Sequence, residues 1–449
     1  MSATHIARGA AAATLLLIAI YVRRNKGRRS FNFDSPAVDR QGTHTVKHIL
    51  SAKPEAGALQ LWVADMELPI CERIQAAIVK RAQHPTFGYT IQPTRIWEHA
   101  GAWLAQYQHW PHAPKPEAFV FSASVVSAFC NVLRALTSEG DGVVVMVPSY
   151  APMQQVVQSC GRRLVLHAMR WAHHQRASRE HSRYDHGYDM NLDVLAATLA
   201  ATKPKVLLLL NPHNPSGRVW SRDELSALAR LCASHGVITI SDEIWGDWVL
   251  DSDAARFTPF AAVAGPAGCS CIVLNAPTKT FNLAGLHAAY AIIEDSELRS
   301  RYLAHVSPAW LHFGSTFATE AMLAAYQHGA EWLEAARAYV RANVEFLTAA
   351  LADADVGVVA MPTPATYLVW LDCAALMSRA SLRDKSALEQ FMLDADLVFS
   401  PGSEFDPTGA SDHFMRLNAA CPRSMLHDAV QRLRSAVASD ALAYRSPSP

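Results

Sequence analysis

Hydrophobic residues fall into two rhythms along this chain. Short unbroken apolar runs, rich in valine, isoleucine and leucine, recur at 118–121, 143–147, 206–210, 237–240 and 271–274. Runs so short and so continuous mark strands covered on both faces. Between them the apolar positions follow a helical stripe. Ile74, Ala77, Ile78 and Ala82 form one within 71–83, the span 96–108 forms another, and Val125, Val126, Phe129, Leu133 and Leu136 form a third. Strands alternating with helices predict an α/β fold on a mainly parallel sheet. Residues 31–70 carry no helical period and read as an extended arm. Past Ser296 the pattern turns helical, most strongly over 315–352, and then mixes short strands and helices up to Leu442. The organisation expected is therefore an arm (31–70), a large domain (71–295), a smaller α+β domain (296–443) and a frayed tail (444–449).

Two stretches break the rhythm. Gly9 to Val22 is a small-and-apolar run of 14 residues, counted from 9 through 22, and the basic cluster Arg23, Arg24, Lys26, Arg28 and Arg29 follows it. A spanning helix wants about 20 residues, and a signal peptide would place its charges first. The expectation is a membrane anchor within residues 1–30 that keeps the body in the cytoplasm, with a disordered or targeting tail as the alternative. The second stretch, 171–187, holds His173, His174, His181 and His186 without an apolar period. It reads as a solvated hairpin insertion and not a metal site.

Composition narrows the classes further. The 449 residues are 50% hydrophobic and 18% charged, with 40 Lys plus Arg against 40 Asp plus Glu. That balance implies no basic face for nucleic acid. The eight cysteines lack paired spacing, and Cys269-x-Cys271 is too tight for a zinc knuckle, which suggests reduced thiols.

Three polar residues stand just past the ends of three buried strands: Asn214 in Asn211-Pro-His-Asn-Pro-Ser-Gly217, Asp242 after 237–240, and Lys279 in Pro277-Thr-Lys-Thr280. Open α/β sheets bind ligands at that edge. A lone lysine among small and apolar neighbours either reaches water at a strand end or is a Schiff-base lysine with a depressed pKa.

Jointly and in this order, the three resemble the fold-type I pyridoxal-phosphate (PLP) enzymes. Within that group the chain resembles the MalY/PatB-type cystathionine β-lyases (C–S lyases). The resemblance rests on Val38-Asp-Arg-Gln-Gly-Thr43, Leu61-Trp-Val-Ala-Asp-Met-Glu67, Phe87-Gly-Tyr-Thr90, Lys279 to Leu286, Ala365 to Asp372, and Phe414-Met-Arg-Leu-Asn418 with Cys421-Pro-Arg423. It implies the fold-type I architecture, with a seven-stranded-type sheet in the large domain.

It also implies roles. Lys279 would hold the PLP aldehyde and move the substrate's Cα proton. Asp242 would face the pyridine nitrogen, Asn214 the ring's 3′-oxygen, and Tyr150 the ring face. The amides of Val125 and Val126, with Thr278, would hold the phosphate, joined by Tyr89 from a neighbouring subunit of a homodimer. Arg416 would bind the α-carboxylate of an amino-acid substrate. Two positions depart from the family. Trp245, near the ring's 3′-oxygen that its indole N–H could support, stands where the lyases usually have histidine and aminotransferases tyrosine, and His287 stands where many aminotransferases have arginine. The expected activity is cleavage of L-cystathionine or related cysteine S-conjugates to a thiol, pyruvate and ammonia. An aminotransferase, or a PLP-binding regulatory protein, is the alternative.

Overall fold

One seven-stranded sheet gathers the apolar runs. The computed structural model describes residues 31–34, 38–40, 42–55, 57–172, 187–251 and 256–443. Its contacts divide the chain into Met1–Phe33 and Asp34–Pro449, and the elements named here lie in the second unit. In chain order the strands are Phe119–Ser122 (β1), Gly142–Val147 (β2), Arg163–Ala168 (β3), Val206–Leu210 (β4), Ile238–Asp242 (β5), Cys271–Asn275 (β6) and Ala289–Ile292 (β7). Across the sheet their order is β1-β7-β6-β5-β4-β2-β3, and only β7 runs antiparallel to its neighbours. This is the fold-type I α/β architecture expected from the sequence.

Burial on both faces explains why the strands read as unbroken apolar runs. Val143, Val145, Val206, Leu208, Leu210, Ile240, Ile272 and Leu274 point into one core, beneath the helix Val125–Leu136. Val144, Met146, Leu207 and Leu209 point into the other, against Trp220, Leu225, Leu228 and Val263. All five residues of β4 are buried. Each such side chain stabilises the fold by about 1.5–3 kcal/mol relative to exposure.

A second sheet of four antiparallel strands contains Val359–Ala360 (β8), Leu368–Asp372 (β9), Ser400–Pro401 (β10) and Phe414–Asn418 (β11), in the order β8-β9-β11-β10. Met415 and Leu417 enter its core with Leu347, Leu388 and Leu426. The helical stretch read over 315–352 is two helices, Thr316–His328 and Ala330–Ala354, broken at Gly329. The arm holds one helical turn, Val46–Ile49, too short to show a period, and Leu59–Gln60 pairs in parallel with Leu397–Val398. Arg170–Ala172 and Gly187–Asp189 form the antiparallel base of the expected hairpin. The four histidines at its tip, His173, His174, His181 and His186, lie outside the described residues.

The expected transmembrane helix is corrected. Among the described residues no helix is long and apolar enough to cross a membrane. Gly9 to Val22, on which that expectation rested, lies outside the described residues.

Gly217 closes the turn that carries Asn214 and adopts φ +69°. A Cβ there would stand 2.7 Å from the Ala365 carbonyl oxygen and 3.2 Å from Thr363 Cγ2. Left-handed backbone and a rigid carbonyl both oppose a side chain at this position. Gly217→Ala should lower stability by about 1–3 kcal/mol in a denaturant titration. A variant with an unchanged midpoint would show that the turn moves freely against the second sheet.

Candidate active site at the carboxyl edge of the sheet

Strands β1, β2, β4, β5 and β6 run in the same direction, so the segments following them meet along one edge. There a cavity of about 170 Å³ is lined by Ser124, Val125, Val126, Tyr150, Asn214, Asp242, Trp245, Thr278 and Lys279, together with Ala64 from the arm. Most of its wall is apolar, so few polar groups decide what it holds.

Lys279 sits in a single helical turn, Pro277–Thr280, that starts one residue after β6. Proline opens the turn at a position that needs no N–H donor. The turn is gripped from two sides. Trp248 Nε1 donates to the Lys279 carbonyl at 2.7 Å. Thr280 Oγ1 donates at 2.7 Å to Asp247, whose other oxygen accepts from Trp103 Nε1 at 3.0 Å. The Lys279 amine donates to the Ala64 carbonyl at 2.6 Å and lies 5.8 Å from the centre of the Trp245 ring. Burial lowers its pKa to about 8, against the opposing pull of Asp65 and Asp242. A substantial neutral fraction therefore exists near physiological pH.

Asp242 ends β5. One of its oxygens accepts from the Ile244 amide at 3.1 Å, and the other has no partner among the described residues. Burial pushes this carboxyl up to about 7, while the Ile244 amide and the Lys279 charge pull the other way. Such a group gains a proton or a cationic neighbour.

On the opposite wall, Ser124 caps the helix Val125–Leu136 through a reciprocal box with Ser127. The cap engages the amides of Ser124 and Ser127. Those of Val125 and Val126 bond to no other group among the described residues. Free amides at a helix start form an anion site.

Arg416, on β11, does not itself line the cavity but is joined to its wall by a hydrogen bond. Its Nη1 donates to Asn214 Oδ1 at 3.1 Å, and its Nη2 donates to the Trp62 carbonyl at 2.9 Å and to Ser400 Oγ at 3.2 Å. Its Nε has no partner, and no carboxylate pairs with it among the described residues. Burial lowers its pKa to about 10, which leaves it charged at neutral pH.

Eight of the residues singled out by sequence thus share one cavity: Lys279, Asp242, Asn214, Tyr150, Val125, Val126, Thr278 and Trp245. Tyr89 does not line it. It is 92% exposed, and its ring packs edge-on with Trp310 at 5.7 Å between ring centres. His287 is also exposed and outside it. Sequence reasoning missed the Ala64 carbonyl, which accepts from Lys279 and from the Tyr367 hydroxyl at 3.1 Å, and it missed Asp247. A carbonyl has no side-chain signature, and Asp247 resembles any other acid near a strand end.

Comparison with known proteins agrees with this geometry. The profile of the aminotransferase class I and II family matches residues 64–433. Cystathionine beta-lyase PatB of Bacillus subtilis (strain 168) is 33% identical over 408 residues, covering 90% of this chain and all of PatB. Protein MalY of Escherichia coli (strain K12) is 31% identical over 416 residues, covering 91% of this chain and 99% of MalY. The crystal structure of a PLP-bound protein from Clostridium difficile 630 superposes with a TM-score of 0.82 at 28% identity, covering 91% of this chain and all of that one. The chain is a member of the class I and II aminotransferase family, within the branch similar to the cystathionine β-lyases.

Proposed function

We propose that the chain is a PLP-dependent C–S β-lyase that converts L-cystathionine, or a related cysteine S-conjugate, and water to a thiol, pyruvate and ammonia. The observation that carries this reading is the pairing of Lys279, a buried amine of depressed pKa, with Asp242, a buried carboxyl that has one oxygen unpartnered in the same cavity. PLP fits what the cavity presents. Asp242 would face the ring nitrogen as its missing cationic neighbour. The free Val125 and Val126 amides, with Thr278, would take the phosphate. Asn214 would donate to the 3′-oxygen, Tyr150 would cover the ring, and Lys279 would carry the aldehyde carbon. When bound, the cofactor supplies a sink for the electrons left at Cα. The name of PatB, a cystathionine β-lyase, supports the lyase reading over its aminotransferase alternative.

The chain's own groups perform the rest. Arg416 holds the substrate's α-carboxylate with a buried guanidinium that has no carboxylate of its own. That contact orients Cα toward Lys279, whose Nζ accepts the Cα proton. A pKa of about 8 suits a base at neutral pH, and such proton transfer is typically worth about 10²–10⁴-fold. The Ala64 carbonyl, 2.6 Å from that nitrogen, stabilises it once protonated. Trp245 walls the cavity with a donor-only indole, which can shape the substrate's path but cannot take a proton.

Purified protein incubated with cystathionine should release pyruvate and homocysteine in large excess over any transamination product. Borohydride should fix the cofactor to Lys279, and Lys279→Ala should lose both that adduct and turnover. Transamination of cystathionine and of alanine without thiol release would establish an aminotransferase instead.

In the cofactor-free protein, Asp242 makes stability depend on pH. Its folded pKa of about 7 exceeds the ordinary 3.8, so between the two the native state binds more protons than the unfolded chain. Stability therefore falls as pH rises through that window, by a contribution on the order of a few kcal/mol. Asp242→Asn should raise the melting temperature at pH 8 and change it little near pH 4, while retaining PLP poorly. A pH-independent difference would contradict the burial of this carboxyl.

We propose further that the active unit is a homodimer. Tyr89, Phe87, Ile91 and Trp310 are exposed by 57% or more and form an apolar patch suited to a second copy. Tyr89 would then reach the partner's phosphate. Sedimentation should give a dimer, and Tyr89→Phe should retain PLP less well without a loss of thermal stability. A fully active monomer would refute the assembly.

A further inference from the structure

The segment from Trp62 to Leu68 has no regular secondary structure, and distant side chains hold its backbone. Arg416 and Ser400 donate to the Trp62 carbonyl, and Asn418 to those of Val63 and Asp65. Lys279 and Tyr367 donate to the Ala64 carbonyl. Asn282 accepts from the Met66 amide and donates to the Met66 and Leu68 carbonyls. Both buried cations of the active site, Lys279 and Arg416, thus rest on one strap of backbone.

A quartet of charges anchors the same strap from its far side. Lys47 is fully buried, and its ammonium lies 2.7 Å from Asp65 Oδ1 and 2.5 Å from Glu67 Oε1. Arg40 Nη1 is 3.2 Å from both carboxylates. Two cations and two anions leave the cluster neutral, so little net charge is buried. Burial alone would push the Asp65 carboxyl up, yet Lys47 and Arg40 together more than offset this and hold it below the usual range. Asp65 stays ionised and clamped. The Ala64 carbonyl and the Asp65 amide share one rigid peptide plane, so fixing Asp65 fixes the direction of that carbonyl.

We propose that Asp65 is a positioning residue for Lys279: clamped by Lys47 and Arg40, it aims the Ala64 carbonyl at the lysine amine. A hydrogen bond accepted by a carbonyl favours the protonated amine. The strap therefore sets how readily Lys279 keeps a proton, with Asp65, Arg416, Asp242 and Lys47 as the charges acting on it. The inference bears on catalysis through the lyase reading above, but its test does not depend on that reading.

The test labels the cofactor-free full chain with acetic anhydride and reads acetylation at Lys279 by peptide mass spectrometry at pH 7 and pH 10. In Asp65→Asn, a weakened hydrogen bond and a lost neighbouring charge should lower the lysine's pKa and speed labelling at pH 7 by about two- to fivefold. At pH 10, where the amine is neutral in both proteins, the rates should match. Asn282→Gly loosens the strap from its other side without changing charge, and glycine suits the φ of +59° there. It should also speed labelling at pH 7, by less because Asp65 keeps its charge, and it carries the test alone if Asp65→Asn fails to fold. Equal labelling at pH 7 overturns the proposal. So does acceleration at both pH values, which signals mere opening of the site, or acceleration in Asp65→Asn alone, which signals charge without positioning. Cofactor binding plays no part in this readout, so a chain without lyase activity would leave the result interpretable.

Discussion

Two buried cations beside one cavity, neither paired with a carboxylate among the described residues, set the terms for the rest of this molecule. Lys279 and Arg416 are both shifted down by burial, and backbone carbonyls, not acids, are their nearest acceptors. Asp242, the one acid among the described residues lining the cavity, is itself raised to about 7 and is only partly charged at neutral pH. The cavity therefore carries an excess of positive potential, reinforced by the free amides at the start of Val125–Leu136. An anion with two separated negative groups, such as a phosphate joined to an amino-acid carboxylate, relieves that excess at both ends.

Holding two cations in place without acids requires a rigid supply of carbonyl oxygens. A strand cannot provide it, because its carbonyls are spent on the ladder. The strap from Trp62 to Leu68 can, since it leaves the sheet pairing at Leu61 and turns its oxygens toward side chains. Its own charge quartet then becomes intelligible. Surface ion pairs contribute little, but a buried, mutually hydrogen-bonded set resists displacement because breaking any one partner leaves an unpaired charge.

This division explains what the sequence revealed. Strands β2, β4, β5 and β6 were legible because burial on both faces makes them continuous apolar runs, and Asn214, Asp242 and Lys279 were legible because each stands at the end of such a run. The edge strand β3 alternates in exposure, and the antiparallel β7, Ala289-Tyr-Ala-Ile292, holds two alanines in place of a β-branched run, so neither announced itself. The strap's role was hidden for a different reason. Arg40 and Lys47 meet Asp65 and Glu67 across 18 to 27 positions of sequence, and no local pattern links them. Family resemblance marked Trp62 to Glu67 without saying what its carbonyls do.

Trp245 joins these parts and bears on which reaction the site performs. Its ring packs edge-on with Tyr367, 4.6 Å between ring centres, and the Tyr367 hydroxyl donates to the same Ala64 carbonyl that accepts from Lys279. The indole is thus braced by the strap's own contacts and has little room to swing. It cannot accept a proton. Tyr150, raised by burial, remains a neutral phenol at physiological pH. Asp242 is committed to the far end of the cofactor in the proposed pose. Among the described residues lining the cavity, the Lys279 amine is then the only base left for the substrate's Cα. Where β-elimination and transamination share that first proton transfer, the choice passes to alignment of the Cβ–S bond, and a fixed indole wall restricts alignment more tightly than a histidine that could rotate and exchange protons.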